Sequence, residues 1–158
     1  MRLKSLLFVS SLLVSNFTWA HGNELHEPKE YDPVDNEFGS YMPKLDVSRT
    51  IEIKMSDNMR FGPDTLTLGV GDVVRFKVKN DGTLLHEMVI GTEEILSEHA
   101  ELMKKFPGME HDEPYMAHVQ PGKTMEIIWR FDKPGRFGFA CLIPGHFESG
   151  MKGEILVQ

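Results

Sequence analysis

From Thr50 onward the chain alternates apolar and polar residues in short runs separated by turn signals. Ile51 and Ile53 alternate with charged neighbours, Leu66 and Leu68 with threonines, and Val74, Phe76 and Val78 with Arg75 and Lys77. A period of two residues turns one side of each run toward a core and the other toward water, the pattern of a half-buried strand. Phe61-Gly62-Pro63-Asp64, residues 69–72 and Asn80-Asp81-Gly82 break the runs. Glu87-Met88-Val89-Ile90, residues 123–131, 136–141 and 153–157 predict further strands. One segment follows another rule. Thr92 stands before Glu93 and Glu94 as an N-cap stands before acids of a first turn, and a helix is predicted to about Lys105, ended by Pro107-Gly108. About seven or eight short strands with regular turns predict a mainly β protein, an antiparallel Greek-key β-sandwich with one helical insertion.

The first 48 residues lack this texture. Arg2 and Lys4 precede a mostly apolar run over residues 5–17, and Thr18-Trp19-Ala20 places small residues where a signal peptidase reads. Residues 1–20 are therefore expected to be a signal peptide cleaved after Ala20, giving a periplasmic protein with no membrane anchor. Residues 21–48, with Pro28, Pro33, Pro43 and several acids, predict an extended acidic arm laid over the domain at Phe38 and Tyr41. Residues 49–158 are the expected folded domain. Losing Arg2 and Lys4 reduces the 17 basic residues to 15 against 24 acidic ones, a formal −9. That balance argues against nucleic acid and anionic membrane as partners.

Cys141 is the only cysteine, so no internal disulfide exists, and a lone exported thiol must be buried or bonded. It opens the run Cys-x4-His-x4-Met through His146 and Met151, with Pro144-Gly145 and Gly150 allowing the loop to turn back. A thiolate, an imidazole and a thioether within one loop are soft and borderline donors suited to copper, which is well held by two imidazoles and a thiolate with a weak axial thioether. The second imidazole must come from elsewhere; His86, opening an apolar strand after the Asn80-Asp81-Gly82 break, is the best-placed candidate.

The loop after Phe137-Gly138-Phe139-Ala140, the distant upstream His86, Phe61-Gly62-Pro63 and Val70-Gly71-Asp72-Val73-Val74 resemble the cupredoxin family over roughly residues 50–158. Ile143-Pro144-Gly145-His146-Phe147, Leu85-His86-Glu87 and the long insertion resemble the periplasmic copper-resistance cupredoxins of the CopI type. The resemblance implies one type 1 copper per chain, with His86, Cys141 and His146 as strong ligands and Met151 as the weak axial one.

A softer signal lies in the insertion, where Met103, Met109, His111, Met116 and His118 fall close together; Met55, Met59 and Met88 lie outside it. Leu102, Met103 and Phe106 are expected to form the apolar face of the helix. Met109, His111, Met116 and His118 read equally as loop packing or as a secondary Cu(I) site. His21, which cleavage would make the N-terminal residue, is a further candidate with His26 nearby, and His99 is expected to be exposed on the helix.

Multicopper oxidases and copper nitrite reductases need a histidine beside the type 1 cysteine, and Ala140 and Leu142 stand there instead. No catalytic residues are expected, and no turnover beyond cuprous oxidation. Two functions stay open: a copper-tolerance protein that binds or oxidises Cu(I), and a mobile one-electron carrier with Ile143, Pro144 and Phe147 as an apolar patch around His146. The expected partners are copper ions and a periplasmic redox or copper-transfer protein, the chain itself being a monomer.

Overall fold

A computed structural model describes residues 30–108 and 112–158. They form β1 (Val34–Asn36), β2 (Gly39–Tyr41), β3 (Arg49–Ser56), β4 (Arg60–Gly62), β5 (Thr65–Leu68) and β6 (Asp72–Asn80). Then come β7 (His86–Gly91), α1 (Glu93–Lys105), β8 (Met116–Val119), β9 (Thr124–Phe131), β10 (Gly135–Ala140) and β11 (Lys152–Val157). One sheet runs β1-β2-β9-β6-β3-β4 and the other β5-β11-β10-β7-β8. The expected β-sandwich is therefore present, but its sheets are mixed: β3 runs parallel to β6 and β5 parallel to β11. Alternation along a strand shows which face is buried and is silent about the neighbour's direction.

The core lies between the sheets, and the period-two pattern builds it. In β6, Val74, Phe76 and Val78 are buried; Val74 stands opposite Trp129 and Phe76 opposite Ile127 of β9. Full burial of each such side chain is worth about 1.5–3 kcal/mol. The described part of the expected arm is built into this sheet. Ser40 of β2 pairs with Arg130 of β9, Phe38 stacks on Trp129 at 5.4 Å between ring centroids, and Trp129 Nε1 donates to the Phe38 carbonyl at 3.1 Å. Gly39, at φ 137°, sits where a Cβ would collide with the Trp129 ring and the Arg130 carbonyl.

Every residue of β7 is buried because both of its faces are covered. Met88 and Ile90 face the inter-sheet core, whereas Val89 packs with Leu96, Ala100 and Met103 of α1. The helix begins where Thr92 was expected to cap it: the Thr92 Oγ1 accepts from Ile95 N at 3.2 Å. Its buried stripe is Leu96, Ala100 and Met103, spaced four and three residues apart. Leu102 and Phe106, expected beside Met103 on the apolar face, are instead 42% and 57% exposed, because Leu102 lies off that stripe and Phe106 is already the C-cap. His99, expected to be exposed, is half-buried. Alternation continues past β10: Phe139 and Cys141 join the inter-sheet core, and Ala140 and Leu142 pack with the helix. That parity aims Cys141 inward.

Candidate metal centre

One donor atom each from His86, Cys141 and His146 lies within 4.8 Å of the other two. His86 heads β7, Cys141 follows β10, and His146 sits in the loop leading to β11. The Cys141 Sγ is 3.3 Å from His146 Nδ1, and the two imidazole rings are 5.0 Å apart between centroids. His86 and Cys141 are fully buried and His146 is half-buried, so the cluster lies just beneath the surface.

The loop holds its shape mainly through its own backbone. His146 N donates to Ile143 O at 2.9 Å, Gly150 N to Phe147 O at 3.0 Å, and Met151 N to His146 O at 3.1 Å. Cys141 N closes the loop on Met151 O at 3.1 Å. Gly145 and Gly150 take φ of 89° and 87°, a region costly for any residue with a Cβ. Met151 is fully buried in the same core cluster as Cys141. From outside the loop, Arg60 Nη1 donates to Ser149 O at 2.7 Å.

The electrostatics suit a metal better than a free thiol. Burial pushes the Cys141 thiol up to about 12, with the Glu87 backbone N–H on Sγ opposing the shift. Burial, then the neighbouring His86, holds His146 below its usual range, so its imidazole is neutral near pH 7. His86 Nε2 lies 3.1 Å from Asp57 Oδ1, while its Nδ1 is buried with no hydrogen-bond partner. A buried ring nitrogen with no partner normally carries a desolvation penalty. Beside a neutral imidazole and a thiol it is a donor set that fits a soft or borderline cation, which would take the place of the thiol proton.

Three supporting residues escaped the sequence reading. Asp57 was given no role, yet its carboxylate accepts from Thr83 N, Thr83 Oγ1 and Leu84 N as well as facing His86. Those contacts, led by the Thr83 hydroxyl, hold it far below the usual carboxylate range. Asn80, read only as a strand break, is fully buried; its Nδ2 donates to Leu84 O and Val119 O at 2.7 and 2.8 Å, and its Oδ1 accepts from Gly82 N. Glu87 is 3% exposed, accepts from Leu142 N at 2.7 Å through Oε1, and meets His118 Nε2 at 2.9 Å through Oε2. Polarity close to His86 in the chain is a signal for Asn80 and Glu87; Asp57, 29 residues upstream, carries none.

The softer candidates fare unevenly. Met116 is buried in β8 against the helix cluster, and His118, half-exposed, directs Nε2 at Glu87. Met103, Met55 and Met88 are buried and Met59 packs against the core. Met109, His111, His21 and His26 lie outside the described residues, as does the expected signal peptide.

Residues 47–158 match the family model described as copper binding proteins, plastocyanin/azurin family. The chain belongs to that family. The cupredoxin resemblance and its copper are thereby shown, and His86, Cys141 and His146 are placed to form the metal site. The chain is 42% identical over 138 residues to the copper-resistant cuproprotein CopI of Rubrivivax gelatinosus, covering 87% of this chain and 83% of that one. It is 32% identical to the CopI of Vibrio cholerae over 96% of this chain and 97% of that protein. Among solved structures, auracyanin B superposes with a TM-score of 0.64 at 22% identity, over 76% of this chain and 96% of that one. An azurin of Methylomonas sp. strain J gives 0.56 at 15%, over 71% of this chain and 99% of that one. At those identities the structures speak for the fold alone. No helix among the described residues is long and apolar enough to cross a membrane.

Proposed function

We propose that this cupredoxin takes one type 1 copper, which His86, Cys141 and His146 would hold with Met151 as a weaker thioether donor, and that it serves copper tolerance. The observation that carries the reading is the unpartnered, buried Nδ1 of His86 beside the Cys141 thiol and the His146 imidazole. Copper, when bound, supplies a one-electron couple between Cu(I) and Cu(II). Cys141 gives up the proton that burial otherwise keeps on Sγ. His86 offers Nδ1 because Nε2 is engaged by Asp57. His146, half-buried, places an imidazole between the site and solvent, where an electron can enter or leave. Ala140 and Leu142 keep the flanks of Cys141 apolar and packed.

Tolerance rests on the relatives named copper-resistant cuproproteins. In this reading the chain is exported to the periplasm with residues 1–20 removed, and there binds Cu(I) or carries it to Cu(II), the electron passing to a redox partner. The insertion, through Met109, His111, Met116 and His118, and His21 at the new N-terminus would be secondary Cu(I) donors. A mobile electron carrier is the second reading, favoured by Leu84 and Leu85, 47% and 39% exposed beside His86, and by exposed Pro144 next to His146. A deletion strain complemented with wild type or Cys141→Ser separates the two. Tolerance predicts copper-dependent growth loss rescued only by wild type; a defect independent of added copper would point to the carrier.

A further inference from the structure

Asp57 faces the far nitrogen of His86 from a different strand connection. It lies just after β3, 29 residues before His86, and its Oδ1 is 3.1 Å from Nε2. The imidazole is fully buried, whereas the Asp57 side chain keeps 36% exposure, so the carboxylate stands between the ring and solvent. Its aim is fixed independently of the histidine. Oδ2 accepts from Thr83 N at 2.8 Å and Thr83 Oγ1 at 2.7 Å, and Oδ1 also accepts from Leu84 N at 3.2 Å.

We propose that Asp57 is the positioning residue of the copper site: its carboxylate holds His86 as the Nε2–H tautomer, presents Nδ1 to the metal, and biases the bound copper toward Cu(II). The proposal rests on the copper reading above. An imidazole cannot donate at Nε2 and carry a proton at Nδ1 while remaining neutral, so the carboxylate selects the tautomer. A carboxylate partner also makes the opposite nitrogen more basic, and loss of such a partner weakens metal binding by about 10–100-fold. A stronger donor and a nearby negative charge favour the more highly charged oxidation state. Affinity loss should therefore fall on Cu(II) more than on Cu(I).

The test compares wild type, Asp57→Asn, Asp57→Ala and Thr83→Ala. Copper-loaded Asp57→Ala should bind Cu(II) about tenfold or more weakly. If Cu(I) affinity is spared, each tenfold raises the reduction potential by about 59 mV. Asp57→Asn, which keeps an acceptor and loses the charge, should fall between. Thr83→Ala removes one anchor of the carboxylate and should shift the potential far less. In the metal-free protein, nitrogen-15 NMR should find His86 protonated at Nε2 in wild type and mixed between tautomers in Asp57→Ala. An unchanged potential and tautomer in Asp57→Ala, or an equal shift in Thr83→Ala, would overturn the assignment. Absence of a thiolate–copper band in wild type would instead sink the copper reading, while the metal-free NMR would still report on Asp57.

Discussion

Between Cys141 and Met151 the inner turns are closed by partners at most five residues away, as in His146 on Ile143 and Met151 on His146. His86 is held differently. Its ring is met by Asp57 from 29 residues upstream, its loop is tied by Asn80 to Val119 across 39 residues, and the next peptide N–H reaches Cys141 across 54. One half of the metal centre is thus encoded in a continuous loop, and the other exists only after both sheets have assembled. The loop half can be recognised as a spacing of residues; the strand half depends on the whole fold.

The largest test of that contrast is Asn80→Ala. It removes three hydrogen bonds beside His86, the one to Val119 O buried and those with Leu84 O and Gly82 N part-buried, at about 1–3 kcal/mol for a group left buried without a partner and less for the others. We expect about 3 kcal/mol of stability lost in denaturant unfolding, together with weaker copper binding. A loss below about 1 kcal/mol would mean that the His86 end is not held from a distance.

Next is the pH dependence carried by Cys141. Its thiol, ordinarily titrating at 9.0, is pushed up to about 12 by burial in the fold, so between those values the folded state holds a proton that the unfolded state has released. The stability is fully present below pH 9 and is lost as pH rises toward 12, by at most about 1.4 kcal/mol per pH unit. Alkaline unfolding of metal-free wild type should show this slope, and Cys141→Ser should lack it. Equal slopes would place the thiol in a less buried setting than the structure gives.

The smallest effect concerns the local half. Gly150 at φ 87° would place a Cβ 3.3 Å from Arg60 Nη1, so Gly150→Ala should cost about 1–2 kcal/mol through backbone strain. Gly145→Ala, at a similar φ but with open space around it, should cost less. Thermal unfolding of the pair measures the difference, and the reverse order would show that packing against Arg60 is not what constrains the loop.

The same division explains what could be read in advance. The helix start at Thr92, the alternating core of β6 and the closeness of Cys141 to His146 depend on neighbours in the chain, and the structure places each where the pattern put it. The parallel pairing of β3 with β6, the short β8 and the role of Asp57 depend on contacts tens of residues apart. Ser56-Asp57-Asn58 reads as an ordinary polar turn until His86 is packed against it. Met116, which the sequence leaves between packing and copper donation, is buried in β8 in the cluster of Leu96 and Met103, a setting that only the assembled fold reveals.

The most direct measurement is a Cu(II) titration of the purified protein and of Cys141→Ser, followed by visible absorption and electron paramagnetic resonance. One copper per chain with an intense thiolate-to-copper band, absent from Cys141→Ser, is the predicted result. No such band in wild type, or the same band in Cys141→Ser, would contradict the assignment of copper to Cys141, His86 and His146.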